Sequence, residues 1–151
     1  MRAVASVPAE EVAQFGVVAK LWALACALAE VAPDIPTEFR GLWHIWIYDS
    51  EVKNGGHLQF FHNQGDGGVP ATLVALREIG AEDHALLLEQ CWSAAGRAPV
   101  PRVKSLEEYA EMALEGSFKA EDHAYYGLPD VCDLLAAHKE GLLNEVVEVR
   151  V

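Results

Sequence analysis

Apolar residues recur at helical spacing along most of the chain, beginning with a run at residues 17–29 that only Lys20 interrupts. The pattern predicts a first helix over residues 8–32, with Ser6 as its N-cap and Glu10 and Glu11 at the positive end of the helix dipole. The apolar run is shorter than the roughly 20 residues that a membrane span needs. We therefore expect a buried helix and no membrane segment.

The same spacing predicts further helices, and glycine, proline and amide residues mark where they end. Thr37 is the expected cap of the second helix, and Ser105 with Glu108 forms a capping-box pattern before another. Alternation typical of a strand occurs only at the C-terminal "VVEVRV". We predict a single all-α domain over residues 1–151, with about six to eight helices. The predicted segments after the first are residues 37–53, 58–63, 70–79, 81–96, 105–115 and 130–146.

Composition narrows the class of protein. The chain has 151 residues, of which 52% are hydrophobic, so it can bury a sizeable core. Its formal net charge of −12 lacks the basic footprint of a nucleic-acid binder, so direct binding to DNA or RNA is not expected. The three cysteines, Cys26, Cys91 and Cys132, are odd in number and far apart, and the N-terminus does not resemble a signal peptide. These features predict free thiols in a cytoplasmic protein.

Sequence motifs for catalysis or metal binding are absent. The chain contains no His-Glu-x-x-His, Gly-x-Ser-x-Gly, P-loop or dinucleotide fingerprint. Its six histidines form no pair four residues apart on a predicted helix, although a metal could recruit distant histidines together with Glu51 or Asp66. We expect no catalytic set, no metal site and no cofactor.

The stretch "SEVKNGGHLQFFHNQGDGG", residues 50–68, has two interpretations. In the first, its glycines end a helix, its amides satisfy loose backbone groups, and its paired phenylalanines hold a tight corner against the core. In the second, the stretch forms a small-ligand or enzymatic pocket lined by Phe60 and Phe61. The candidate polar groups of that pocket are Glu51, His57, His62 and Asn63.

This stretch also resembles a known domain family. The family pattern is approximately Glu-x-x-Asn-Gly-Gly-aromatic-x-Gln-Phe-Phe-x-Asn, followed by a helix that ends in Ile-Gly-Ala. The resemblance is to a bacterial family typified by a DNA-mimic protein, and this chain departs from the pattern at His57. The matching residues are Glu51, Asn54, Gly55, Gly56, Gln59, Phe60, Phe61, Asn63, Ile79, Gly80 and Ala81.

The resemblance implies an all-α fold. For the type member it implies an acidic homodimer whose carboxylates imitate DNA phosphates and occupy the DNA-binding face of a transcription factor or another DNA-binding protein. Most relatives have no assigned function, so mimicry has to be argued from the charges of this chain.

Those charges concentrate in the last third of the sequence. Residues 105–148 hold eleven acidic residues against only Lys119 and Lys139. Helical spacing places Glu107, Glu111 and Glu115 in one stripe, with about 6 Å of rise between neighbours. The alternative is an ordinary solvated acidic surface. We expect a non-catalytic protein that binds a basic protein surface through Glu107, Glu108, Glu111, Glu115, Glu121 and Asp122.

Overall fold

The computed structural model describes residues 2–95, 105–108 and 118–151. Its first elements are strand β1 (Ala5–Pro8), helix α1 (Ala9–Phe15) and helix α2 (Val17–Val31). The single helix predicted over residues 8–32 is wrong. It is divided at Gly16, whose φ of 67° lies in the left-handed region that glycine adopts without steric cost. Ser6 lies within β1 and does not cap a helix.

A 3₁₀ turn (Thr37–Phe39) leads into the longest element, helix α3 (Arg40–Glu78). The sequence predicted three shorter segments here. The chain leaves helical geometry at Gly55 and Gly56, where the sequence predicted a helix end, and again at Gly65, so α3 consists of helical arms separated by kinks at these glycines. The start of this region carries no side-chain cap, so the expected role of Thr37 is wrong.

Helix α4 (Glu82–Ala94) agrees with the prediction for that segment. Residues 106–108 are helical, and Ser105 Oγ accepts a hydrogen bond from the Glu108 N–H at 3.1 Å, which confirms the capping interaction. The rest of that predicted helix lies outside the described residues. Helix α5 (Lys119–Gly127) follows.

The C-terminal part contains helix α6 (Val131–His138), helix α7 (Glu140–Val146) and strand β2 (Val147–Arg150). The predicted single helix over residues 130–146 is wrong, because its backbone leaves helical geometry at Lys139. Asp130 caps α6, accepting hydrogen bonds from the N–H groups of Cys132 and Asp133.

The two strands pair with each other. β1 and β2 form a parallel ladder in which Ala5 is opposite Val147 and Val7 is opposite Val149. The sequence indicated the C-terminal strand, but it gave no alternating pattern at its four-residue partner. The ladder joins the first and last elements of the described chain.

One hydrophobic core serves all the helices, and α3 lies at its centre. α3 packs against α4, α5 and α6, and α2 packs against α6 and α7. The all-α single-domain prediction is confirmed. Within the described ranges, no helix combines the length and apolar character needed to cross a bilayer. The largest fully buried side chains include Tyr48, Phe39, Phe60, Leu21, Leu24 and Leu28.

Candidate functional site

The Asn-Gly-Gly corner of α3 forms a close contact with helix α5. Gly56 has φ 74°, which favours glycine, and the carboxylate of Asp122 lies directly above it. A Cβ atom at Gly56 would be 2.3 Å from Oδ2 of Asp122, far inside van der Waals contact. Glycine is therefore required here for its backbone conformation and for the space above it.

His57 binds the same carboxylate twice. Its backbone N–H donates to Oδ1 of Asp122 at 2.9 Å, and Nδ1 lies 2.7 Å from the same oxygen. Because a carboxylate only accepts, Nδ1 carries a proton and donates it. Nε2 is 2.8 Å from the Tyr48 hydroxyl, which donates to it when the ring is neutral. The His57 side chain is fully buried, so these three residues form an internal chain of hydrogen bonds.

The order carboxylate, imidazole, hydroxyl also occurs in nucleophilic catalytic triads. Here the environment opposes such chemistry. Burial raises the pKa of Tyr48 well above its ordinary value, and the nearby carboxylates of Asp122 and Asp49 add to the effect. A nucleophile needs a lowered pKa or an adjacent base with access to substrate, whereas the Tyr48 side chain is fully buried. The enzymatic interpretation of the corner is not favoured.

A second network lies on the outer side of the corner, and its centre is Glu51. Oε2 of Glu51 accepts hydrogen bonds from Gln59 Nε2 at 2.6 Å and from Asn63 Nδ2 at 2.8 Å. Asn54 Nδ2 in turn donates to Oε1 of Gln59 at 3.1 Å. From the sequence we predicted that these amide side chains would form hydrogen bonds with free backbone groups at the helix ends. Gln59 and Asn63 bind the Glu51 carboxylate instead, and Asn54 binds Gln59, so these side chains join the two arms of the kinked helix.

The phenylalanine pair anchors the corner, as predicted. Phe60 is fully buried and Phe61 is almost so. Phe60 meets the edge of Tyr48 at a centroid distance of 5.0 Å, and Phe61 meets Phe118 at 5.4 Å. His62 is half-buried; burial lowers its pKa, and the negative charge of Glu108 acts in the opposite direction.

Asp49 is a polar centre that sequence reasoning missed. The residue is only 6% exposed. Its carboxylate accepts from the Tyr125 hydroxyl, from Lys53 Nζ at 2.9 Å and from the Cys132 thiol at 3.3 Å. Burial acts to lower the pKa of Lys53, but its hydrogen bonds to Asp49 and Asp130 outweigh that effect and raise the pKa. One buried carboxylate thus connects α3, α5 and α6.

Comparisons with known proteins identify the family of this chain. Residues 33–142, more than half of the chain, match the family model described as DMP19-like protein. The chain belongs to the DMP19-like family. DMP19 denotes DNA mimic protein 19, so the resemblance to a DNA-mimic family is confirmed. Comparisons with curated proteins and with solved structures gave no significant match.

The acidic residues of this DMP19-like domain have different surroundings. Glu107 and Glu108 are exposed, and Glu121 is half-buried on α5. Asp122, predicted to be a partner-binding carboxylate, is bound to His57. Glu111 and Glu115 lie outside the described residues.

Two open depressions lie away from the corner of the DMP19-like domain. One, of about 230 Å³, is lined by Asp83, Leu86, Leu87, Gln90, Ala124 and Leu128. The other, of about 360 Å³, lies between the two ends of α3 and includes His44, Glu38, Glu78 and Lys139. Neither is lined by a corner residue. No set of three histidine, cysteine or acidic residues in the described part of the chain is arranged to hold a metal ion.

The residues that sequence analysis missed are Tyr48, Asp49, Lys53, Tyr125 and Cys132. A weak signal was present for two of them. Asp49 and Lys53 are four residues apart, and Asp49 follows the apolar run "LWHIWIY", where a charged residue on the buried side requires a partner. Tyr125 and Cys132 reach Asp49 across sequence separations of 76 and 83 residues, which no local pattern reports.

Proposed function

We propose that this DMP19-like protein is a non-catalytic interaction protein that binds the basic DNA-binding face of a transcription factor or nucleoid protein. The observation that carries the proposal is the charge of residues 105–148, where eleven acidic residues oppose two lysines. Duplex DNA presents one negative charge per roughly 1.7 Å of axis, so a surface that replaces it needs closely spaced carboxylates. Family membership makes a DNA-binding protein the most specific choice of basic partner.

The proposed contact residues are Glu107, Glu108, Glu111, Glu115 and Glu121. Glu107 and Glu108 are exposed, and the carboxylate of Glu107 forms no hydrogen bond with another described residue. Asp122 differs from them because its carboxylate is held by His57. The proposal also includes a homodimer in the bacterial cytoplasm, no direct contact with nucleic acid and no cofactor.

The decisive experiment is competitive capture. The immobilised protein is incubated with bacterial lysate at low salt, and bound proteins are eluted with duplex DNA. We expect a DNA-binding protein to elute, because mimic and duplex would occupy the same face. Its affinity, measured by calorimetry after purification, should fall steeply as salt rises from about 50 to 200 mM.

Charge reversal then tests the surface. Near 150 mM salt, charges farther apart than about 8 Å are largely screened, so only carboxylates close to the partner affect the affinity. Under these conditions Glu111→Lys with Glu115→Lys should weaken binding at least a hundredfold. The matched control is Glu10→Lys with Glu11→Lys, the same charge change on exposed residues of α1. A partner that duplex DNA does not displace, salt-independent binding, or equal loss in the control would refute the proposal.

A further inference from the structure

Asp122 is the partly exposed carboxylate of α5 that the protein itself binds. Two N–H groups of His57, one from the backbone and one from the ring, converge on its Oδ1. Its Oδ2 occupies the space above Gly56. Two donors at fixed positions restrict both the position and the orientation of a carboxylate, because hydrogen bonds to a charged acceptor are short and close to linear.

Two further contacts hold α5 on either side of Asp122. The ring of Phe118, which precedes α5, packs against Phe61, and the hydroxyl of Tyr125 donates to Asp49. The three contacts occur in opposite order along the two elements: Phe118 meets Phe61, Asp122 meets position 57, and Tyr125 meets position 49. α5 is therefore attached to α3 along its whole length.

These contacts differ in what they specify. The ring contact is apolar and tolerates small rotations and shifts, because apolar burial has no preferred direction. The Asp122 contact does not tolerate them. A shift of one residue turns a helical side chain by about 100°, which would remove the carboxylate from both donors of His57 and leave them buried without an acceptor.

We propose that Asp122 and His57 are positioning residues that fix the rotation and register of α5, and thereby the direction in which the carboxylate of Glu121, the described acidic contact residue on α5, faces. Glu121 precedes Asp122 directly, so any rotation of α5 moves its carboxylate as well. This inference rests on the proposed function for its consequence, but the attachment of α5 can be tested without any partner.

Amide hydrogen exchange tests the attachment. His57→Leu removes the ring donor and leaves all carboxylates in place. We expect amides in residues 118–127 to exchange roughly ten- to hundredfold faster, the factor that corresponds to one hydrogen bond to a charged group. Amides of α2, which packs mainly against α6 and α7, should change little. His57→Asn, which retains a side-chain N–H near the position of Nδ1, should restore slow exchange.

Two controls separate this effect from general loosening. Tyr48→Phe breaks the other end of the hydrogen-bond chain and leaves both donors to Asp122, so exchange in residues 118–127 should stay near the wild-type rate. Asp122→Ala should reproduce His57→Leu, whereas Asp133→Ala, the same charge change at an exposed position of α6, should not. Uniform acceleration along the chain, or unchanged exchange in α5, would overturn the positioning role.

The consequence is tested with the DNA-displaceable protein captured by the immobilised domain. His57→Leu should weaken its binding about tenfold and reduce the slope of log Kd against log salt, because fewer carboxylates engage the partner together. Unchanged affinity and slope, despite faster exchange in α5, would overturn the inference. If no DNA-displaceable partner exists, the proposed function fails, and α5-specific exchange would still support attachment by Asp122.

Discussion

At Gly56, two requirements fall on one residue. The backbone has φ 74°, and the neighbouring carboxylate of Asp122 occupies the place of a side chain. The sequence predicted a helix end here from the Asn-Gly-Gly pattern, and the loss of helical geometry at Gly55 and Gly56 agrees with that. It could not predict that position 122 would lie above the glycine, because the two residues meet only through the tertiary fold.

Substitution of Gly56 should therefore be costly. We expect Gly56→Ala to lower the free energy of unfolding by about 2–4 kcal/mol, since it combines an unfavourable backbone conformation with displacement of Asp122. The control is Gly67→Ala, at an exposed position of α3 where a Cβ atom would meet nothing within 4 Å. Urea denaturation monitored by circular dichroism measures both. Equal stability of the two variants would contradict the argument.

Among the elements, the helix boundaries show where local pattern is sufficient. α4 was predicted almost as observed, because acidic residues begin it and its apolar spacing is regular. α1 and α2 were merged, because the sequence around Gly16, just before the apolar run, does not reveal the φ angle of that glycine. The outer amides were predicted to bind backbone, because sequence cannot show that Glu51 lies within reach of Gln59 and Asn63.

The start of α6 depends on Asp130. Its Oδ1 caps the helix, while Oδ2 binds Lys53 Nζ at 3.0 Å and so connects α6 to α3. Burial acts to raise the pKa of Asp130, but the hydrogen bonds from Lys53 and from the backbone outweigh it and lower the pKa. The ion pair is partly exposed, so most of the stabilising effect is expected from the cap.

We expect Asp130→Ala to destabilise the protein by about 1–2 kcal/mol, the usual effect of losing a helix N-cap. Asp130→Asn retains a capping oxygen and loses only the charge, so it should cost a few tenths of a kcal/mol. Asp133→Ala, in the same first turn and exposed, is the control for lost acidity. Urea midpoints at pH 7 measure all three. A loss for Asp130→Asn as large as that for Asp130→Ala would show that the charge, and not the cap, dominates.

At the scale of the whole molecule, three histidines oppose protonation. Burial lowers the pKa of His84, His62 and His44, and the positive charge of Arg40 contributes to the shift at His44. His84 is the most enclosed of the three. Its Nε2 donates to the Pro129 carbonyl at 2.7 Å, and its buried Nδ1 has no hydrogen-bond acceptor among the described residues.

Stability should therefore fall in mild acid. A histidine whose pKa is lower in the folded state stabilises the fold fully above its ordinary pKa of about 6.5, and this contribution is lost as pH falls toward the folded value. Between pH 7.5 and 5.5 we expect the free energy of unfolding to decrease by about 1 kcal/mol. His84→Gln should reduce that decrease, whereas His138→Gln, at an exposed position, should not. Chemical denaturation at the two pH values gives the comparison, and a pH-independent wild type would contradict it.

Charge and fold were thus predictable to different degrees. The net charge and its concentration near the C-terminus follow from counting residues, and the all-α class follows from apolar spacing. The polar interior did not follow, because Tyr48, Asp49, Tyr125 and Cys132 come together only when α3, α5 and α6 are packed. His57 was noticed as the departure from the family pattern, but its two bonds to Asp122 depend on a residue 65 positions away.

The ladder between β1 and β2 lies outside the residues that match the family model, although both strands contribute to the core. The family match spans residues 33–142, yet Val7 in β1 and Leu143, Val146 and Val147 near β2 are buried in the common core. The buried face of α2 belongs to that core too. A chain limited to residues 33–142 would lack α2 and would therefore expose the surface of α6 against which α2 packs. It would also lose the only ladder within the described residues. The unit defined by sequence similarity is thus smaller than the unit that encloses the hydrophobic core.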